Sequence, residues 1–171
     1  MSDTPDIGAI RSSADLLAVA RVMDERSAER YRELAVAFEM SCNIDTAAAF
    51  HELADDEDRH MAEFPVPAGA VPAGLPWGEQ DPEIADPDAV HYLMHPWHAV
   101  DLALRHEERS LAFFVLVAES STIAEVRAEA ARLAERERGH VALIKARREA
   151  LPLPPDDWDE DQDPPNWEAS D

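Results

Sequence analysis

Two stretches of this chain carry residue types that could do metal chemistry. Leu53-Ala54-Asp55-Asp56-Glu57-Asp58-Arg59-His60 returns as Leu133-Ala134-Glu135-Arg136-Glu137-Arg138-Gly139-His140. Both read Leu-Ala-x-x-Glu-x-x-His. On a helix, residues three apart stand on one face, a turn apart, so the carboxylate and imidazole of each stretch can reach one ion. Each pair also falls on an apolar stripe. The first stripe is Phe50, Leu53, Ala54, Glu57, His60, Met61 and Phe64, and the second is Val126, Ala130, Leu133, Glu137, His140, Val141 and Ile144. A carboxylate among Leu and Phe costs several kcal/mol unless something pairs it, and a buried metal ion is such a partner. A chain with 37 acidic residues yields one Glu-x-x-His by chance. Two copies behind the same Leu-Ala, both facing inward, are not explained that way, nor do two inward salt-bridged pairs in a metal-free protein require the repeat.

Long helices must position these residues. Ser12-Ser13-Ala14-Asp15 offers an N-cap with an acid in the first turn, and a helix A from 12 to about 42 presents Leu17, Ala20, Asp24, Ser27, Tyr31, Leu34 and Phe38 along one stripe. Asn43 ends it, and Asp45 can cap a helix B that stops at Phe64 before Pro65. The short connection makes A and B an antiparallel hairpin. Residues 65–95, with six prolines and three of the five glycines, form a long crossover holding a short helix around Asp88 to Met94. Pro96 suits the first turn of helix C, which runs to about Ser120 with Val100, Ala103, Leu104, Glu107, Leu111, Phe114 and Val117 inward. Thr122-x-x-Glu125 resembles a capping box for helix D, which lasts to about Ala150.

The two hairpins are versions of one unit. Asp24-Glu25-Arg26-Ser27 matches Glu107-Glu108-Arg109-Ser110, an aromatic (Tyr31 or Phe114) follows seven residues after the first acid, and Leu34-Ala35 matches Val117-Ala118. The expected fold is all-α: a four-helix bundle of two antiparallel hairpins joined by a long crossover, spanning residues 12–150. Its core would receive an acid from each of helices A and C, Asp24 and Glu107, and a Glu-x-x-His from each of B and D: Glu57 with His60, Glu137 with His140. That is the ligand set of a carboxylate-bridged pair of iron or manganese ions. Carboxylates are hard donors that bridge two ions, imidazole suits iron, and four carboxylates balance two divalent ions.

On these motifs the chain resembles the rubrerythrin branch of the ferritin-like di-iron superfamily over roughly residues 12–150. The resemblance implies a ferritin-like bundle with two iron ions (manganese or a mixed pair being alternatives) that reacts with O2, peroxide or ferrous iron as a ferroxidase or peroxide reductase. Three features depart from it. Asp24 stands where the family has Glu, with Glu25 adjacent but about 100° away around the helix. Ser110 stands where the best-known rubrerythrins carry a further Glu. The chain has one cysteine, Cys42, so it lacks the Cys-x-x-Cys pairs of a rubredoxin domain, and reduction requires a separate electron donor. Tyr31 is core, or a hydrogen-bond donor to a ligand carboxylate across the bundle.

The formal net charge of −22 argues against nucleic acid as a partner, because such binding neutralises phosphates with Lys and Arg. No stretch reads as a secretory segment or a membrane span of about 20 apolar residues; a cytoplasmic protein is expected, and a homodimer would use a spare apolar helix face. Residues 1–11 read as a flexible arm. Residues 151–171, with eight acids and no Lys or Arg, read as a disordered tail. A non-catalytic interaction protein acting through this tail, with Trp158 and Trp167 as anchors, is the rival reading. His91, His95 and His98 suit packing and capping, since His98 lies about 13 Å along the helix from Glu107. His51 and His106 fall on or near polar faces and receive no role. Cys42 reads as a small apolar filler.

Overall fold

The computed structural model describes residues 7–63 and 90–160. Residues 1–6, 64–89 and 161–171 lie outside the described residues, and with them Phe64, most of the crossover and Trp167. Among the described residues there are four long helices and no strand: α1 (Ser13–Met40), α2 (Ile44–Glu63), α3 (Pro96–Ser120) and α4 (Ala124–Ala150). α1 packs along α2 and α3 along α4, and the two hairpins meet through α2 with α3 and α1 with α4. This is the expected all-α four-helix bundle. No helix among the described residues is long and apolar enough to cross a membrane.

The helix ends show how side chains set the boundaries. The Ser12 hydroxyl accepts from the Asp15 N–H at 3.1 Å and opens α1 as expected. α1 closes with Cys42 at φ 60°; its N–H donates to the Glu39 carbonyl and the Asn43 N–H to the Phe38 carbonyl, the paired bonds of a left-handed helix stop. Cys42 is therefore an exposed turn residue, not an apolar filler. Asn43, not Asp45, caps α2: its Oδ1 accepts from the Thr46 N–H, and its Nδ2 donates to the Tyr92 and Met94 carbonyls. One side chain thus ends a hairpin and ties down the chain entering α3. The capping box at Thr122 is absent because α4 starts one residue later, after Ile123, whose N–H donates instead to the Ser121 hydroxyl. Residues 90–94 form a turn closed by the Met94 N–H on the His91 carbonyl, not a helix. At the start of α3 the His95 N–H donates to His98 Nδ1 at 3.0 Å, the capping role expected there.

The core falls into two apolar clusters. One holds Tyr31, Phe38, Phe50, Leu53, Val100, Leu104 and Ile144; the other holds Leu16, Val19, Met23, Phe114, Val117, Val126 and Leu133. Between them, at mid-height of α1, α3 and α4 and near the C-terminal end of α2, lie Asp24, Ser27, Glu57, His60, His106, Glu107, Ser110, Glu137 and His140, most of them buried. α1, α3 and α4 therefore cross from one apolar cluster to the other through a polar layer, and α2, whose buried apolar residues all lie in the first cluster, ends at that layer.

Both expected loose ends begin packed. The arm forms a 3-10 turn at Ile7–Ala9, and Ile10 is buried in the second cluster. The tail turns at residues 156–159 and lays Trp158 on the first cluster, 4.0 Å from the His98 ring and edge-on to His91 at 5.8 Å. The apolar indole outweighs its acidic neighbours because they point into solvent while the ring covers an aromatic-lined face.

Candidate metal centre

The polar layer brings the repeat residues together. Glu57 and His60, one turn apart on α2, place the His60 Nδ1 at 3.4 Å from the Glu57 Oε2; Glu137 and His140 repeat this on α4 at the same 3.4 Å. The two hairpins set these turns face to face, so the imidazoles of His60 and His140 stack with centroids 3.7 Å apart and planes 6° from parallel. Glu107 enters from α3, its Oε2 3.8 Å from His140 Nδ1. Ligand atoms of His60, Glu107 and His140 lie within 4.8 Å of one another. Asp24 enters from α1 with a largely buried side chain, whereas Glu25 is half-exposed and paired with Arg21. Of the two adjacent acids on α1, Asp24 is the one that faces the centre.

Four carboxylates without a metal must be held by protons or cations. Burial first, then the charges of Glu57 and Glu137, a proton shared with Glu137 and the charge of Asp24 raise the Glu107 pKa well above the ordinary value. Burial also pushes Glu137 up, but the His140 ring, the Arg136 guanidinium and the proton held on Glu107 outweigh it and bring Glu137 to about 2. Of the two, Glu107 is the one whose surroundings favour the protonated form. One buried atom in the layer stays unsatisfied. His140 Nδ1 has no hydrogen-bond partner; its 3.4 Å approach to Glu137 is an ion-pair distance without hydrogen-bond alignment. An unsatisfied imidazole nitrogen beside buried carboxylates is a donor set that fits a metal ion. Its N and O donors suit iron, manganese or zinc.

Sequence reasoning missed two features of the layer. Arg136 sits at the centre with an 11% exposed side chain, its Nη2 2.6 Å from the Glu137 Oε1 and 3.8 Å from the Asp24 Oδ2. Its register points it about 100° from Glu137, so a stripe assignment leaves it outside, but a long stem lets the head fold back. His106 is buried, not on a polar face: its Nδ1 lies 3.2 Å from the Tyr31 hydroxyl and its Nε2 3.3 Å from the Ser27 hydroxyl. Tyr31 is thus core, the first of its two expected roles, with its hydroxyl on a histidine of α3.

A pocket of about 190 Å³ opens onto the centre from one side, lined by Leu53, Asp56, Glu57, His60, Ala103, Glu107 and His140, with Leu143, Ile144, Arg59 and Arg147 around it. It reaches the face where His60, Glu107 and His140 converge, so a small molecule can approach those atoms without crossing the apolar clusters.

The chain is similar to an uncharacterized conserved protein from Magnetospirillum magnetotacticum MS-1 of known crystal structure, with 31% sequence identity and a TM-score of 0.61 over 83% of this chain and 97% of that one. No family model and no curated protein matches the chain.

Proposed function

The chain belongs to the same family as the Magnetospirillum conserved protein, and from that premise we propose that it is a ferritin-like iron protein of the rubrerythrin type, a ferroxidase or peroxide reductase. The observation that carries this reading is the convergence of His60, Glu107 and His140, with the His140 nitrogen orphaned. His60, Glu107 and His140 would hold iron, with Glu57 and Glu137 beside them and Asp24 on the α1 side. Bound there, iron would supply the redox couple that reduces O2 or peroxide. The protein's own part is to hold and orient the ligands and to leave a path to them. The stacked rings fix both imidazoles. Buried Leu53, Ala103 and Ile144 give the pocket apolar walls beside the ligands, and its volume suits a small oxidant. The Glu107 carboxyl would give up its proton to become a ligand, so loading the site would release a proton. A peroxide reductase also requires an electron donor from outside the chain.

The reading is tested by loading the protein anaerobically with ferrous iron, mixing it with hydrogen peroxide or air-saturated buffer, and following the ferric absorbance beside His140→Ala. Ferric iron should form faster than in buffer and stay bound, and the variant should lose both behaviours. Oxidation no faster than in buffer would end the oxidoreductase reading, and failure to retain iron at all would end the metal reading with it.

A further inference from the structure

The internal repeat supplies an internal control for the metal centre, and Arg136 breaks it. A shift of 83 residues relates α1 to α3 and one of 80 relates α2 to α4. Under these shifts Ala20 maps to Ala103, Asp24 to Glu107, Leu133 to Leu53 and Arg136 to Asp56. The latter four all line the 190 Å³ pocket. Ala20, Asp24, Leu133 and Arg136 line a crevice on the opposite side that holds about 10 Å³. The molecule therefore has two repeat-related approaches to its centre, one open and one filled. The residue at Asp56 is turned aside, paired with Arg59 and Arg147. Its counterpart Arg136 is turned in, and puts its guanidinium between Asp24 and Glu137.

We infer that Arg136 is a resident counter-ion standing in for one metal ion on the Asp24 side, so that the chain binds one ion tightly, through His60, Glu107 and His140. The inference rests on the metal reading above and sets its stoichiometry. A guanidinium is always charged, and its fork suits carboxylates, so it competes with an ion for the same oxygens at every working pH. The shorter reach of Asp24 adds to this, since a side chain one methylene shorter than Glu107 meets a cation that comes to it on a long stem. With Arg136 in place, two divalent ions would overcompensate the four carboxylates; without it they would balance. On the open side the two arginines, Arg59 and Arg147, pair with Asp56 and Glu52 and not with the central Glu57 or Glu107.

The experiment is a titration of the metal-free full chain with manganese(II), counting free ion by its electron paramagnetic resonance, in the parent and in Arg136→Gln. The parent should take one tight ion per chain, with any second at least about tenfold weaker, the least a buried like-charge contact near 4 Å would impose. Arg136→Gln should gain a second tight ion. Because the variant leaves Asp24 and Glu137 without their cation, its melting temperature is measured with and without manganese; metal should raise it more than it raises the parent's. If the variant does not fold metal-free, refolding in manganese gives the same count. Two equal tight ions in the parent, or a single ion in both proteins, would overturn the inference and leave the metal reading standing. No tight ion in either would overturn both.

Discussion

Replacing Glu107 by Gln should stabilise the metal-free protein while weakening metal binding, two effects of opposite sign from one substitution. The carboxyl of Glu107 is 6% exposed and faces Glu57, Glu137 and Asp24. Its pKa is raised, so between the ordinary value of 4.5 and the raised one the folded chain keeps a proton that the unfolded chain has lost. The native state then binds more protons than the unfolded state, and stability falls as pH rises through that window. Each pH unit costs about 1.4 kcal/mol, or about 3–5 °C in melting temperature for a chain of this size. Gln has no proton to lose, and its amide can donate to Glu137 as the shared proton did. The assay is thermal melting by circular dichroism in chelator from pH 5 to 7. The difference between variant and parent should grow with pH in the variant's favour, since other titrating groups are common to both. Added manganese should then raise the parent's melting temperature far more than the variant's. A variant that melts lower than the parent by the same amount at every pH, or gains as much from manganese, would refute the reasoning.

Three further outcomes follow from the geometry. His60→Ala and His140→Ala should each abolish the tight ion, because both rings serve one cluster with Glu107; isothermal titration that finds the ion unaffected in either would remove that histidine from the ligand set. A chain ending at residue 150 should melt below one ending at 160 by the contribution of the partly buried Trp158, about 2 kcal/mol, and Trp158→Ala should reproduce most of that loss. Tyr31→Phe removes the hydroxyl that meets His106 and should cost about 1 kcal/mol in urea denaturation, with little change in the number of ions bound.

The bundle was legible because its signals are local and repeated. Periodic apolar residues placed α1 to α4 within a few residues of their observed ends, and Leu-Ala-x-x-Glu-x-x-His, written twice, pointed to Glu57, His60, Glu137 and His140, which the structure sets in one polar layer. Glu107 and Asp24 were found through the repeat, not through any motif of their own. What escaped depends on packing between segments far apart in sequence. Asn43 caps α2 because it also reaches Tyr92 and Met94, a preference no window of residues contains. His106 is buried because Ser27 and Tyr31 of another helix offer it polar partners. Trp158 binds back because α3 opens with a histidine that forms part of the face it covers. Arg136 did leave a signal: it and Arg138 replace Asp56 and Asp58 of the other stretch, and of the two arginines Arg136 is the buried one. A mismatch of charge inside a repeat marks where two equivalent sites have ceased to be equivalent.

The central claim is that metal binds in the polar layer between His60, Glu107 and His140. Crystals of the full chain grown with manganese(II) or anaerobic ferrous iron, with diffraction recorded on both sides of the metal's absorption edge, test it most directly. The account predicts one strong anomalous peak per chain, in contact with those three side chains, and at most a weak one beside Asp24. A layer with no anomalous peak, with Arg136 and the protonated Glu107 alone neutralising its acids, would contradict it.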